Sequence, residues 1–193
     1  MKRAFIVHGW DGHPQEGWFP WLKRELEARG FEVHVPQLPE PARPRIENWV
    51  PALAHAVGTV DEETFFIGHS IGCQTIARYL ASLPEGAVAG GAVFVAGFFT
   101  RLAGLEDDPE VQATDKHWLG APLDLRAVRA RMRASVAIFS DDDPWVPLDN
   151  QGRFRDELGS KIRIEHARRH FSGSNGITEL PSALEAVLEL AGR

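Results

Sequence analysis

The sequence predicts an α/β domain built on a parallel sheet. Short apolar runs alternate with helical patterns along the whole chain. Four of the six runs are nearly all apolar, as strands covered on both faces should be. The length, 193 residues with 44% hydrophobic and 25% charged, suits one domain with a sizeable core.

The elements follow in order. Candidate strands are Ala4–Val7, Glu32–Val35, Thr64–Gly68, Ala92–Ala96, Val136–Ser140 and Ile162–Glu165. The second and sixth alternate more in polarity, which places them at the sheet edges. Helical patterns lie between them. Trp18–Arg29 carries Leu22 and Leu26 on one face and ends at Gly30. Ile46–Val57 follows, then Ile71–Leu83, which stops before Pro84. Leu125–Met132, Leu148–Leu158 and Pro181–Leu190 supply the rest. Pro36–Pro44 is proline-rich but closely flanked by a strand and a helix, so it reads as a loop within residues 1–193. One connection is long: residues 98–124, with Glu106, Asp107, Asp108, Glu110 and Trp118. It is too short for a second domain; the two readings are a small cap-like excursion over a site and a partly ordered surface excursion.

Composition excludes several classes. A net charge of -6 offers no basic surface for nucleic acid or anionic membrane. The N-terminus has only four apolar residues, Ala4 to Val7, before His8, and no run approaches the about 18 residues of a membrane span. The lone Cys73 cannot form an internal disulfide. The expected location is the cytoplasm.

The chemistry centres on Thr64–Leu80. Apolar Phe65, Phe66 and Ile67 lead into Gly68-His69-Ser70-Ile71-Gly72, and a helical pattern begins at once. G-x-S-x-G between strand and helix is a nucleophile elbow. Ser70 must sit on a strained turn to project its hydroxyl above the sheet. Gly68 and Gly72 let strand and helix approach, and the helix start offers backbone N–H groups to an oxyanion.

A serine hydroxyl needs a base, and the base needs an orienting acid, in the chain order Ser, acid, His. Asp141-Asp142-Asp143 follows the fifth strand. Asp143 is chosen because it directly precedes Pro144-Trp145-Val146-Pro147, with Asp142 the runner-up. His166 and His170 follow the last strand; His170 lies in the loop before the final helix and is taken as the base, His166 as structural. Three consecutive acids do not match the alternating ligands of a calcium loop, and the histidine pair lacks a zinc-binding helix, so no metal is expected. His8-Gly9-Trp10 follows the first strand, making the Trp10 N–H the second oxyanion donor beside that of Ile71. His8, His69 and Cys73 read as packing residues, as do Trp18, Trp21 and Trp49. Trp10, Trp118 and Trp145 fall in predicted loops, and Trp118 and Trp145 are expected to line an apolar substrate pocket.

In these residues the chain resembles the retinoblastoma-binding protein 9-like serine hydrolases, which include bacterial YdeN-like proteins. Gly17-Trp18-Phe19-Pro20-Trp21-Leu22-Lys23 is similar to the family's G-W-x-x-W-x-K helix. Leu38-Pro39 to Pro41 and Trp49-Val50-Pro51 resemble its proline pieces, and Asp142-Asp143-Pro144 with Pro147 its acid loop. His170-Phe171 resembles its G-H-F ending, with Arg169 in place of the glycine. The resemblance implies a minimal α/β-hydrolase fold: six parallel strands in the order 2-1-3-4-5-6, helices on both faces, without the first two strands of larger members. It implies Ser70, Asp143 and His170 as the triad. The L-x-C-x-E segment of the animal members is absent, so no retinoblastoma-type partner is expected.

The expectation is a serine hydrolase, carboxylesterase-like, cleaving a small-molecule ester or amide through an acyl-enzyme without metal or organic cofactor. The alternative from another class is a non-catalytic binding module on the same scaffold, against which the complete set of triad residues argues.

Overall fold

The computed structural model describes residues 1–104 and 109–192. Glu106, Asp107 and Asp108 therefore lie outside the described residues. Six strands form one sheet: β1 (Arg3–Val7), β2 (Glu32–His34), β3 (Thr64–His69), β4 (Gly91–Val95), β5 (Ser135–Ser140) and β6 (Lys161–Glu165). Their order is β2-β1-β3-β4-β5-β6, and every pairing is parallel. The fold is the α/β-hydrolase sheet, with the second and sixth strands at the edges.

Strand alternation sorts the core into two layers. Phe5, Val7, Phe66, Phe94, Ala137 and Phe139 point to one face. There they meet α2 (Ile46–Val57), α3 (Ile71–Ser82), α5 (Leu125–Ala130) and α6 (Gln151–Asp156) through residues such as Leu53, Leu80, Val128 and Phe154. Ala4, Ile6, Phe65, Ile67, Val93 and Ile138 point to the other face, against α1 (Phe19–Glu27) and α7 (Pro181–Leu190). In α1, Phe19, Leu22 and Leu26 form the buried stripe, at helical spacing. Each such side chain contributes about 1.5–3 kcal/mol when fully buried. The end of α3 is set by Pro84, which holds Leu83 extended at ψ 146°.

Two elements differ from expectation. Within residues 98–124 the chain forms a helix, α4 (Pro109–Gly120). Only Thr114 and Trp118 of α4 are buried, so the helix shows little of the amphipathic pattern that marks α1. The helix expected over Leu148–Leu158 starts with a 3-10 turn, Leu148–Asn150, before α6. The cause is Asn150, fully buried at that turn. Its Oδ1 accepts from the Phe99 and Thr100 N–H groups, and its Nδ2 donates to the Arg101 and Pro147 carbonyls.

The topology explains where a site can form. The chain leaves β1 towards β2 on one side and returns to β3 on the other, with Val7 registered against Gly68. The carboxyl ends of β1 and β3 thus open side by side at the switch point, where such sheets bind ligands.

Candidate active site

Ser70 joins β3 to α3 with φ 54° and ψ -123°, a conformation that L-residues avoid. The glycines around it are required by close approach. A Cβ on Gly72 would lie 2.5 Å from the Val7 carbonyl oxygen, and one on Gly68 would lie 2.9 Å from the Cys73 nitrogen. The first turn of α3 is therefore pressed against the end of β1. The Ile71 N–H belongs to that first turn, whose amides have no partner within the helix. After β1, a Cβ on Gly9 would lie 3.3 Å from Ser70 Cβ, and Gly9 and Trp10 line the same cavity as Ser70.

The three consecutive aspartates are sorted by the loop they face. Asp141 Oδ2 lies 2.6 Å from His166 Nδ1, and its Oδ1 accepts from the Ala167 N–H. Asp142 Oδ1 accepts from Ser140 Oγ and from the Arg169 N–H. Asp143 Oδ2 lies 2.8 Å from His170 Nδ1, and its Oδ1 accepts from the Trp145 and Val146 N–H groups. The acids thus lace successive positions of the loop after β6: Asp141 holds residues 166 and 167, Asp142 holds 169 and Asp143 holds 170. Hydrogen bonds from His166 and then the Ala167 amide hold the Asp141 carboxyl below the usual range. For Asp142 the same direction comes first from Ser140, then from the Arg169 amide. The Asp143–His170 pair alone is enclosed, its side chains 2% and 7% exposed.

The loop carrying His170 is held from beneath. His69 Nε2 lies 2.7 Å from the His170 carbonyl, and Trp18 Nε1 donates to the Phe171 carbonyl. A carbonyl can only accept, so His69 carries its proton on Nε2. Burial, reinforced by the neighbouring His170, pulls the His69 pKa down to about 3, so it is neutral. His8 plays a similar part on the other side. The Leu38 N–H donates to its Nε2, which leaves Nδ1 to donate to the Gly9 carbonyl. Burial lowers its pKa as well. Both histidines read from sequence as packing residues; the structure adds that each fixes a loop of the site. Burial pushes the Cys73 thiol up, which makes it unreactive.

One cavity of about 310 Å³ opens over these residues. Ser70, His170, Ile71, Trp10 and Trp145 all line it, and Asp143 stands behind His170. Trp145 packs edge-on to the His170 ring with centroids 4.9 Å apart. Trp118 is the correction. It is fully buried on α4, donates to the Pro44 carbonyl and packs on Trp49, and it is absent from this lining. Its stripe on α4 sends Val111, Thr114 and Asp115 to the cavity instead. Glu16 also lines it. Neither acid was singled out from sequence. The i, i+3, i+7 spacing of Val111, Thr114 and Trp118 was the available signal for α4.

Comparison with known proteins gives the family. A model described as serine hydrolase matches residues 4–189. The Bacillus subtilis (strain 168) protein YdeN is 30% identical over 181 residues, covering 93% of this chain and 91% of YdeN. The rat serine hydrolase RBBP9 is 26% identical over 175 residues, covering 89% of this chain and 88% of its own. The crystal structure of the B. subtilis ydeN gene product superposes with a TM-score of 0.90 at 28% identity, covering all of both chains. Est1E of Butyrivibrio proteoclasticus, at 15% identity and TM-score 0.73 over 100% of this chain and 89% of its own, shares the fold. The chain belongs to the serine hydrolase family.

Proposed function

We propose that this hydrolase cleaves a small ester or amide, in the manner of a carboxylesterase, through an acyl-enzyme formed on Ser70. The observation that carries this reading is the enclosed Asp143–His170 pair, whose histidine lines one cavity with a serine on a positive-φ turn. Asp143 is an acceptor towards Nδ1, so it fixes the proton there and leaves Nε2 with a lone pair. His170 Nε2 takes the Ser70 hydroxyl proton as Oγ bonds to the substrate carbonyl carbon. The carbonyl oxygen becomes an oxyanion, stabilised by the Ile71 and Trp10 N–H groups. His170 then returns the proton to the departing alcohol or amine as its bond to the acyl carbon breaks. Water repeats the sequence and releases the acid.

The cavity volume is at the small end for ligand sites, which supports small or medium acyl groups over long lipid chains. Labelling with a fluorophosphonate, read by intact mass, tests the nucleophile. Wild-type protein should gain one phosphonyl group and Ser70→Ala none. An unmodified wild type, beside a serine hydrolase that labels fully, would return the chain to the binding-module reading.

A further inference from the structure

The lining of the catalytic cavity is mostly apolar, from Phe98, Leu102, Val111 and Trp145. Asp115 interrupts it from α4. Its Oδ1 is buried and has no hydrogen-bond partner, and no salt bridge among the described residues includes it. Burial raises its pKa, and no neighbouring cation offsets this. A buried carboxylate oxygen without a donor is costly. The acids of the loop after β5 are satisfied: Asp141, Asp142 and Asp143 each hold two or more donors. Glu16, on another wall, repeats the anomaly, with Oε2 buried and unpartnered. The three aspartates behind His170 thus have their oxygens spoken for, while α4 offers an acceptor to whatever enters.

We propose that Asp115 is a specificity-determining residue, and that the cavity selects substrates carrying a protonated amine, which Asp115 binds as counter-ion. An ammonium group supplies donors and a positive charge, where a neutral alkyl group would leave the oxygen desolvated and bare. The net charge of -6 favours approach of a cation. This assignment rests on the serine-hydrolase reading of the same cavity.

The test is a set of paired p-nitrophenyl esters, equal in acyl length, ending in ammonium or in methyl. Wild type should favour the ammonium member at its best length by about tenfold in kcat/KM, the low end for a charge-assisted hydrogen bond. Asp115→Asn should bring the ratio to about one, and Asp115→Glu should keep part of it. The ratio is the readout, so a general loss of activity cancels. A wild-type ratio at or below one overturns the proposal and leaves an ordered water as the occupant of Oδ1. A preference that survives Asp115→Asn and disappears in Glu16→Gln moves the counter-ion to Glu16 and overturns the assignment. Should neither ester turn over and Ser70 resist fluorophosphonate, the hydrolase reading has failed. Selection can then be read without catalysis, from the thermal midpoint of Ser70→Ala with butylammonium against butanol. Stabilisation by the ammonium alone, lost when Asp115→Asn is added, supports the proposal; equal midpoints overturn it.

Discussion

The two sides of the cavity are built differently. On the sheet side, every loop that carries a reacting group is tied down by hydrogen bonds. His69 and Trp18 hold consecutive carbonyls of the histidine loop, His8 holds the β1 loop, and three aspartates lace one loop to another. On the opposite side, α4 is anchored from behind. Trp118 donates to Pro44, and Arg78 donates to the carbonyls of Trp118, Ala121 and Pro122. On its face towards the cavity, Asp115 Oδ1 has no hydrogen-bond partner. A group that must hold one geometry through a proton transfer gains from being over-determined. A group that must recognise a substrate needs its bonding capacity free.

The largest effect expected from this contrast concerns the acids, which share a sequence run and not a role. Asp143→Asn should lower kcat by about three to four orders of magnitude, by losing the acceptor that fixes the His170 tautomer. Asp142→Asn and Asp141→Asn should each cost less than about tenfold, since they hold backbone of the loop. Steady-state kinetics on a fast ester with all three variants decides. An Asp142 variant as damaged as the Asp143 variant would move the orienting role one residue back.

Two tryptophans separate anchoring from recognition next. Trp118→Ala removes a fully buried ring and should destabilise by about 3–5 kcal/mol. Trp145 is 36% exposed and borders His170, so Trp145→Ala should change stability by under about 1 kcal/mol. It should instead raise KM. Denaturant melts set beside KM values test the pair; a stability loss of equal size in both would erase the distinction.

The same division marks what could be read from the sequence. All six strands and the elbow were readable, because buried parallel strands leave unbroken apolar runs and the elbow needs glycines at fixed spacing. Asp143 was readable from the Pro144-Trp145-Val146-Pro147 turn after it, and it does pair with His170; the partners of Asp141 and Asp142 were not, since those depend on what the opposite loop offers. Trp118 was misplaced for a related reason. Position in a predicted loop pointed outward, while the chain coils into α4 and turns the indole into the core. Asp115 left no trace because an unpaired acceptor is a property of surroundings, which a residue letter does not carry.

Acid should expose the next difference. His69 is buried and neutral, with its pKa near 3 in the folded protein and near the ordinary 6.5 when unfolded. Between those values the unfolded chain binds a proton that the folded chain does not. The contribution of His69 is therefore complete above about pH 6.5 and is lost as pH falls towards 3. His69→Gln keeps an Nε2 donor for the His170 carbonyl but cannot titrate. Unfolding free energies measured across that window should fall less steeply in the variant, by up to one proton. Parallel curves would mean that His69 is solvated in the folded protein. His166 acts in the opposite direction, because Asp141 raises its pKa. Its pair stabilises below about pH 6.5 and fades as pH rises, and full exposure keeps it weak.

The smallest effect lies in the loop the acids hold. Arg169 has φ 51°, where a side chain is strained and glycine is not. The related family ending has glycine at that place, and here the strain persists because Asp142 accepts the Arg169 N–H at 2.7 Å. Arg169→Gly removes a left-handed penalty of about 1–2 kcal/mol and adds back the greater unfolded-state freedom of glycine. The balance should be a stabilisation of about 0.5 kcal/mol, with kcat unchanged because the backbone bond to Asp142 remains. Arg169→Ala separates the two causes. It deletes the guanidinium and keeps the strained φ, so it should not stabilise. Equal gains in both variants would mean that the arginine side chain, and not its backbone angle, is what costs stability.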